Sequence, residues 1–199
     1  MQKKIENTEK ILGLDVSTKT IGWALFDIES KSLLELTHIS PVVKNKEENK
    51  IKELFLKTEI FRTKLQEYKN LGITKDVIEE PLLNSNNVYT IQTLLRYNTL
   101  ISKEIYDILN IVPEYISTYN SRKNAFPWLV KENDKGKFVL FGGLPKDCDK
   151  KQIVWEQVAK REPQINWVYT KNNTLKKENF DMSDAYCCVL GYMKQEKLW

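Results

Sequence analysis

The chain has one histidine, His38, and three cysteines, Cys148, Cys187 and Cys188. So few soft ligands cannot make a tetrahedral Cys/His zinc site at any usual spacing. A histidine-assisted nucleophile would have to be built around His38. That residue lies in Leu34-Glu35-Leu36-Thr37-His38-Ile39, which reads as a strand. The odd cysteine count, with no signal-like N-terminus, points to a reducing, cytoplasmic setting with the thiols as small buried hydrophobes. No apolar run approaches the ~20 residues needed to cross a bilayer, so no membrane role is expected. The seven glycines form neither a Walker loop nor Gly-x-Gly-x-x-Gly, and no nucleotide cofactor is implied. Nor does one charge sign dominate: 31 Lys+Arg against 27 Asp+Glu gives +4. That balance permits an anionic partner such as nucleic acid without demanding one.

What is present in quantity is lysine and carboxylate, on a chain 41% hydrophobic and 29% charged. This fits a globular protein of 199 residues forming one domain, and excludes wholesale disorder. Ile11-Leu12-Gly13-Leu14 is a continuous apolar run, as a strand buried on both faces requires. Ile21 to Asp27 and Leu33 to Ile39 follow across short polar turns, which predicts an antiparallel meander. Ile51, Leu54, Phe55, Phe61, Leu65 and Tyr68 recur at helical spacing among Lys and Glu, with Lys46, Lys50, Lys57 and Lys64 expected on a solvated face. Asp76 to Glu80 is a short strand stopped by Pro81. Val88, Ile91, Leu95, Ile101, Ile105 and Ile108 line a second helix, and Tyr115 to Tyr119 reads as a fifth strand. The Gly- and Lys-rich stretch 130–150 reads as an inserted loop or hairpin. Helices are expected over 151–161 and 182–193. The order predicts an α/β fold: a mixed five-stranded sheet, three antiparallel strands plus two parallel ones, with helices on both faces.

Carboxylates occupy three special places in that plan. Asp15 ends the first strand and Glu79 the fourth, and these strands can lie parallel with both acids at one edge. Asp181 and Asp184 open the last helix three residues apart, on one face. Each acid also has a plain structural use: a turn cap at Asp15, a solvated strand end at Glu79 or Glu80, a helix N-cap at Asp181, and at Asp184 a charge favoured at the helix's positive end. Brought together, four carboxylates repel and raise one another's pKa, and oxygen-rich sites of this kind suit Mg2+ or Mn2+. Two such ions about 4 Å apart can activate a water and stabilise the leaving oxygen of a phosphodiester.

Ile11 to Ala24, containing Leu14-Asp15-Val16-Ser17-Thr18, resembles the opening motif of RuvC-like nucleases in the RNase H-like superfamily. Val77-Ile78-Glu79 resembles the second motif, and Asp181-Met182-Ser183-Asp184-Ala185 the closing one. Together they span residues 11 to about 192. The resemblance implies that Asp15, Glu79, Asp181 and Asp184 are the metal-binding catalytic residues, with Glu79 chosen over Glu80. It implies two Mg2+ ions (Mn2+ as a substitute), cleavage of branched DNA, above all four-way Holliday junctions, and a homodimer in a bacterial or phage-infected cell. Val16-Ser17 stands where many relatives have Pro-Gly, and the 130–150 insertion is absent from the minimal family core. The actin-like kinases share the opening turn but need a second domain, for which 199 residues leave no room. Nucleases of flaps, forks or RNA–DNA hybrids, and an inactive DNA-binding protein, remain alternatives.

For the substrate, Arg122 or Lys123 after the fifth strand can hold a phosphate near the metals. Arg96, Lys146, Lys150 and Lys151 are candidates for the DNA backbone. Tyr89 and Tyr97 can stack on unpaired bases or pack in the core. The apolar face of the 86–110 helix, with Tyr89, Leu94, Leu95 and Tyr97, is expected to serve both the core and a partner subunit. Trp128, Trp155 and Trp167 are expected in the core or an interface.

Overall fold

The computed structural model describes residues 8–44, 47–81, 87–145 and 147–199. Strands β1 (Lys10–Val16), β2 (Ile21–Asp27) and β3 (Ser32–Ile39) form the antiparallel meander. β4 (Ile73–Glu79) pairs parallel with β1, and β5 (Glu114–Ile116) parallel with β4. The sheet is therefore mixed and five-stranded, in the order β3-β2-β1-β4-β5. Helices α1 (Lys50–Gln66) and α2 (Val88–Leu109) cover one face. Helices α3 (Thr118–Ala125), α4 (Lys150–Arg161) and α5 (Glu178–Gln195) cover the other.

Strand alternation divides the core in two. Leu12, Leu14, Ile21, Trp23 and Ile78 pack with Phe61 and Leu65 of α1 and with Ile101 of α2. Ile11, Ala24, Phe26 and Val77 pack with Met182, Ala185, Tyr186 and Val189 of α5. Asp15 shares its parity with Ile11, and Glu79 with Val77, so both acids fall on the α5 face.

Two elements differ from the sequence reading. The fifth strand ends at Ile116, and residues 118–125 are helical. Ser117 caps that helix, its Oγ accepting from the Asn120 amide at 3.3 Å. The last helix begins at Glu178, so Asp181 lies inside its first turn and is not its cap. Between α3 and α4, β6 (Val130–Glu132) and β7 (Phe138–Leu140) form a separate two-stranded ribbon.

Candidate active site

The parallel register sets Leu14 against Ile78, which brings Asp15 and Glu79 together just beyond it, at the C-terminal ends of the strands. Open α/β sheets place their sites at this edge. On the other side Asp15 faces Gly22 of β2. A Cβ built on Gly22 would lie 2.0 Å from the Asp181 carbonyl oxygen. Only glycine lets the first turn of α5 settle this low over the sheet. Asp181 and Asp184, three residues apart on one face of α5, are thereby brought to the edge that Asp15 and Glu79 share.

The four acids do not share one environment. Asp15 is half-buried, and its carboxylate makes no hydrogen bond or ion pair among the described residues. Burial holds its pKa well above the usual carboxylate range, reinforced by the charges of Glu79, Asp184 and Asp181 and opposed by Lys151. Glu79 Oε1 accepts from Thr118 Oγ1 at 2.6 Å, whereas its Oε2 is buried without a partner among the described residues. Burial and the nearby Asp184 push the Glu79 pKa up to about 7, against the pull of Thr118, Arg122 and Lys151. Asp181 is raised to about 6, chiefly by burial, with Lys151 opposing and Asp184 adding.

Asp184 is 2% exposed and held by Arg122, itself 8% exposed. Nε and Nη2 donate to Oδ1 at 3.0 and 2.8 Å, and Nη2 also donates to Oδ2 at 3.0 Å. Burial works to lower the Arg122 pKa, but the charges of Asp184 and Glu79 outweigh it and the net shift is upward. Arg122 is thus engaged inside the site and is no free surface cation. Lys151 Nζ lies 3.8 Å from both Asp181 Oδ1 and Asp184 Oδ2, half-exposed at the mouth of the cluster.

Among the described residues, no three Asp, Glu, His or Cys side chains are drawn together as a ready-made metal cage. The donor chemistry nonetheless fits a hard divalent cation. Glu79 Oε2 is a buried carboxylate oxygen without a partner among the described residues, at a place where an uncompensated charge is costly. Asp181 pairs loosely with Lys151, at 3.8 Å. Asp184 contributes charge chiefly through oxygens shared with Arg122, which leaves lone pairs on Oδ2.

The remaining residues named from sequence scatter around this centre. Lys123 is exposed, its ammonium 5.6 Å from the Tyr119 ring, and Arg96 is exposed on α2. Lys150 is exposed beside Phe141, at 6.0 Å from the ring centre. Lys146 and Lys46 lie outside the described residues. Lys57 is not merely solvated: it donates to the Thr18 carbonyl at 2.8 Å and pairs with Glu53, bracing the turn after β1. Tyr97 is fully buried in the core, while Tyr89 is 83% exposed. Trp155 and Trp167 meet edge-on at 5.8 Å, Trp128 is 54% exposed, and Cys187 and Cys188 are wholly buried. Sequence reasoning missed Thr118 as the partner of Glu79. The Ser117-Thr118 pair was the available signal, since such residues open helices.

No family model matches the chain, and no curated protein matches it in sequence. Solved structures do. Thermus thermophilus RuvC in complex with a Holliday junction substrate superposes with a TM-score of 0.62 at 8% identity, covering 95% of each chain. A second T. thermophilus RuvC structure gives 0.57 at 11% identity, over 94% of this chain and 95% of that one. At such identities the likeness speaks for architecture alone. The chain has the α/β, RNase H-like fold of RuvC.

Proposed function

We propose that this protein is a metal-dependent endonuclease of RuvC type that cleaves phosphodiester bonds in branched DNA, four-way junctions foremost. The observation that carries the reading is the placement of Asp15 and Glu79 at the carboxyl edge of two parallel strands, against the α5 turns that carry Asp181 and Asp184. Asp15, Glu79 and Asp181 would hold Mg2+ or Mn2+, with Asp184 completing the charge. Two such ions would supply activation of a water and stabilisation of the leaving oxygen. Thr118 holds Glu79 through Oε1 and leaves Oε2 available as a ligand oxygen. Arg122 holds Asp184 in place, and Lys151 stands where an incoming phosphate would meet the acids. The likeness to a RuvC bound to a Holliday junction supports DNA as the partner. A homodimer in the cytoplasm of a bacterial or phage-infected cell belongs to the same proposal.

Labelled four-way junction, fork, flap, duplex and RNA–DNA hybrid substrates, each with and without magnesium, test it. The expected result is paired nicking of the junction in magnesium and none in EDTA. Asp15→Asn removes one charge and little volume, so it should bind the junction like the parent in calcium. Its cleavage should fall by at least ~100-fold, the scale of losing one preorganised electrostatic contact. Full activity of that variant would sink the site assignment. Cleavage confined to forks, flaps or hybrids would move the substrate within the same fold.

A further inference from the structure

The β6–β7 ribbon stands apart from the central sheet yet is firmly built. At its base Leu129 and Phe141 are buried in the α5-side core, and the Phe141 amide donates to the Leu129 carbonyl at 2.7 Å. A Cβ on Gly142 would meet the Lys131 carbonyl at 2.0 Å, so the returning chain is pressed against the ribbon. At its tip Asn133 Oδ1 accepts from the amides of Lys135 and Lys137 at 3.0 and 3.1 Å. An isolated two-stranded hairpin is marginal in water, and this one spends such order on an exposed surface.

That surface has a definite chemistry. Lys131, Lys135 and Lys137 are exposed and make no ion pair among the described residues. Phe138 is 71% exposed. Between ribbon and return loop runs a groove of about 660 Å³, whose lining includes Asn133, Asp134, Lys135, Phe141, Leu144 and Lys150, two lysines against one carboxylate. Lys150 opens α4, and its neighbour Lys151 reaches the acids at 3.8 Å. The ribbon is thus joined to the candidate active site by a short basic path.

We infer that the ribbon is a second DNA contact, seating the sugar–phosphate backbone of the duplex arm that leaves the active site. The inference rests on the nuclease reading above. Lysines free of protein partners suit phosphates, and a two-stranded ribbon with an exposed phenyl suits a groove of the duplex. Phosphate contacts release counterions, so each one steepens the salt dependence of binding by about 0.9 in log–log slope.

The experiment compares the parent, Lys131→Gln/Lys135→Gln/Lys137→Gln, Phe138→Ala, and a control of equal charge, Lys69→Gln/Lys75→Gln/Lys197→Gln. Binding to four-way junction and to plain duplex is measured in calcium across a salt series. The ribbon triple should bind at least tenfold more weakly at moderate salt, with a slope shallower by two to three. Phe138→Ala should lose affinity with its slope unchanged, and the control should match the parent. At saturating DNA in magnesium the turnover of the ribbon triple should equal the parent's. If the parent binds and cuts while the ribbon triple matches it in affinity and slope, the ribbon inference falls and the nuclease reading stands. An equal loss in the control, or a defect only in turnover at saturation, also overturns it. If the parent binds no DNA of any form, both fall together.

Discussion

Alternation along β4 sends the Glu79 side chain to the α5 face with Val77. Glu80 lies just past the strand, exposed, its amide donating to the Ile116 carbonyl at 2.8 Å. Glu79→Gln should therefore lower cleavage by ~100-fold or more, the cost expected for one lost electrostatic contact at the reacting centre. Glu80→Gln should stay close to the parent, and single-turnover rates in magnesium separate the two. A reversed result would mean that the strand register is off by one. Of the site, the positions of Asp15, Glu79, Asp181 and Asp184 in the fold were legible in the sequence, because strand ends and i, i+3 helix spacing are local features. Their unequal surroundings were not. The Arg122 clamp on Asp184 joins residues 62 positions apart, and the Thr118 hydrogen bond to Glu79 joins residues 39 apart. Sequence periodicity carries no information about such pairings.

The meander was readable as an element because its strands are apolar runs between short polar turns, and the two long helices because of their periodicity. Helix α3 was hidden because Tyr115-Ile116-Ser117-Thr118-Tyr119 is rich in strand-favouring residues. Tertiary packing overrides that preference: Ser121, Arg122 and Ala125 are buried, and Ser121 backbone lies within 2.5 Å of where a Cβ on Gly191 of α5 would sit. β4 holds a second unforeseen feature. Asp76 is 1% exposed, and neither carboxylate oxygen has a hydrogen-bond partner among the described residues. Burial raises its pKa well above the ordinary value. Such a group contributes full stability below its unfolded pKa of about 3.9 and loses it as pH rises towards the folded value. Asp76→Asn cannot ionise and escapes that loss. Thermal melts should show variant and parent closest at pH 5 and the variant ahead at pH 8. The gap should widen steadily across that range, because the folded parent must hold a proton that its unfolded chain releases. A gap that does not widen with pH would show that Asp76 is not the titrating group.

For the molecule as a whole, the acidic edge links stability to pH and to cations. Asp15 is raised, Glu79 to about 7 and Asp181 to about 6, each chiefly by burial. The folded state keeps protons that the unfolded chain loses near pH 4, so metal-free stability should decline as pH climbs through 6 and 7. Cations bind the ionised form, so the rise in melting temperature on adding magnesium should be larger at pH 8 than at pH 5; equal shifts would count against a crowded carboxylate site. Assembly gives the last expectation. A four-way junction has two-fold symmetry and its resolution needs a nick in each of two opposing strands, which two sites related by a two-fold axis provide. On α2, Val88, Leu95 and Tyr106 are exposed at 63%, 41% and 49%, and their spacing puts them on one stripe. Tyr97, fully buried, belongs to the core and not to that surface. A stable pair needs about 800 Å² buried on each partner, so polar neighbours of this stripe would have to join it in the interface. Light scattering should find a dimer, free or on a junction, with both Asp15 carboxylates serving one DNA surface. Leu95→Glu should give a monomer that makes single nicks where the parent makes paired ones. A parent that is monomeric in both states and still cuts in pairs would overturn the arrangement, and a monomer making only single nicks would point to a flap or fork substrate.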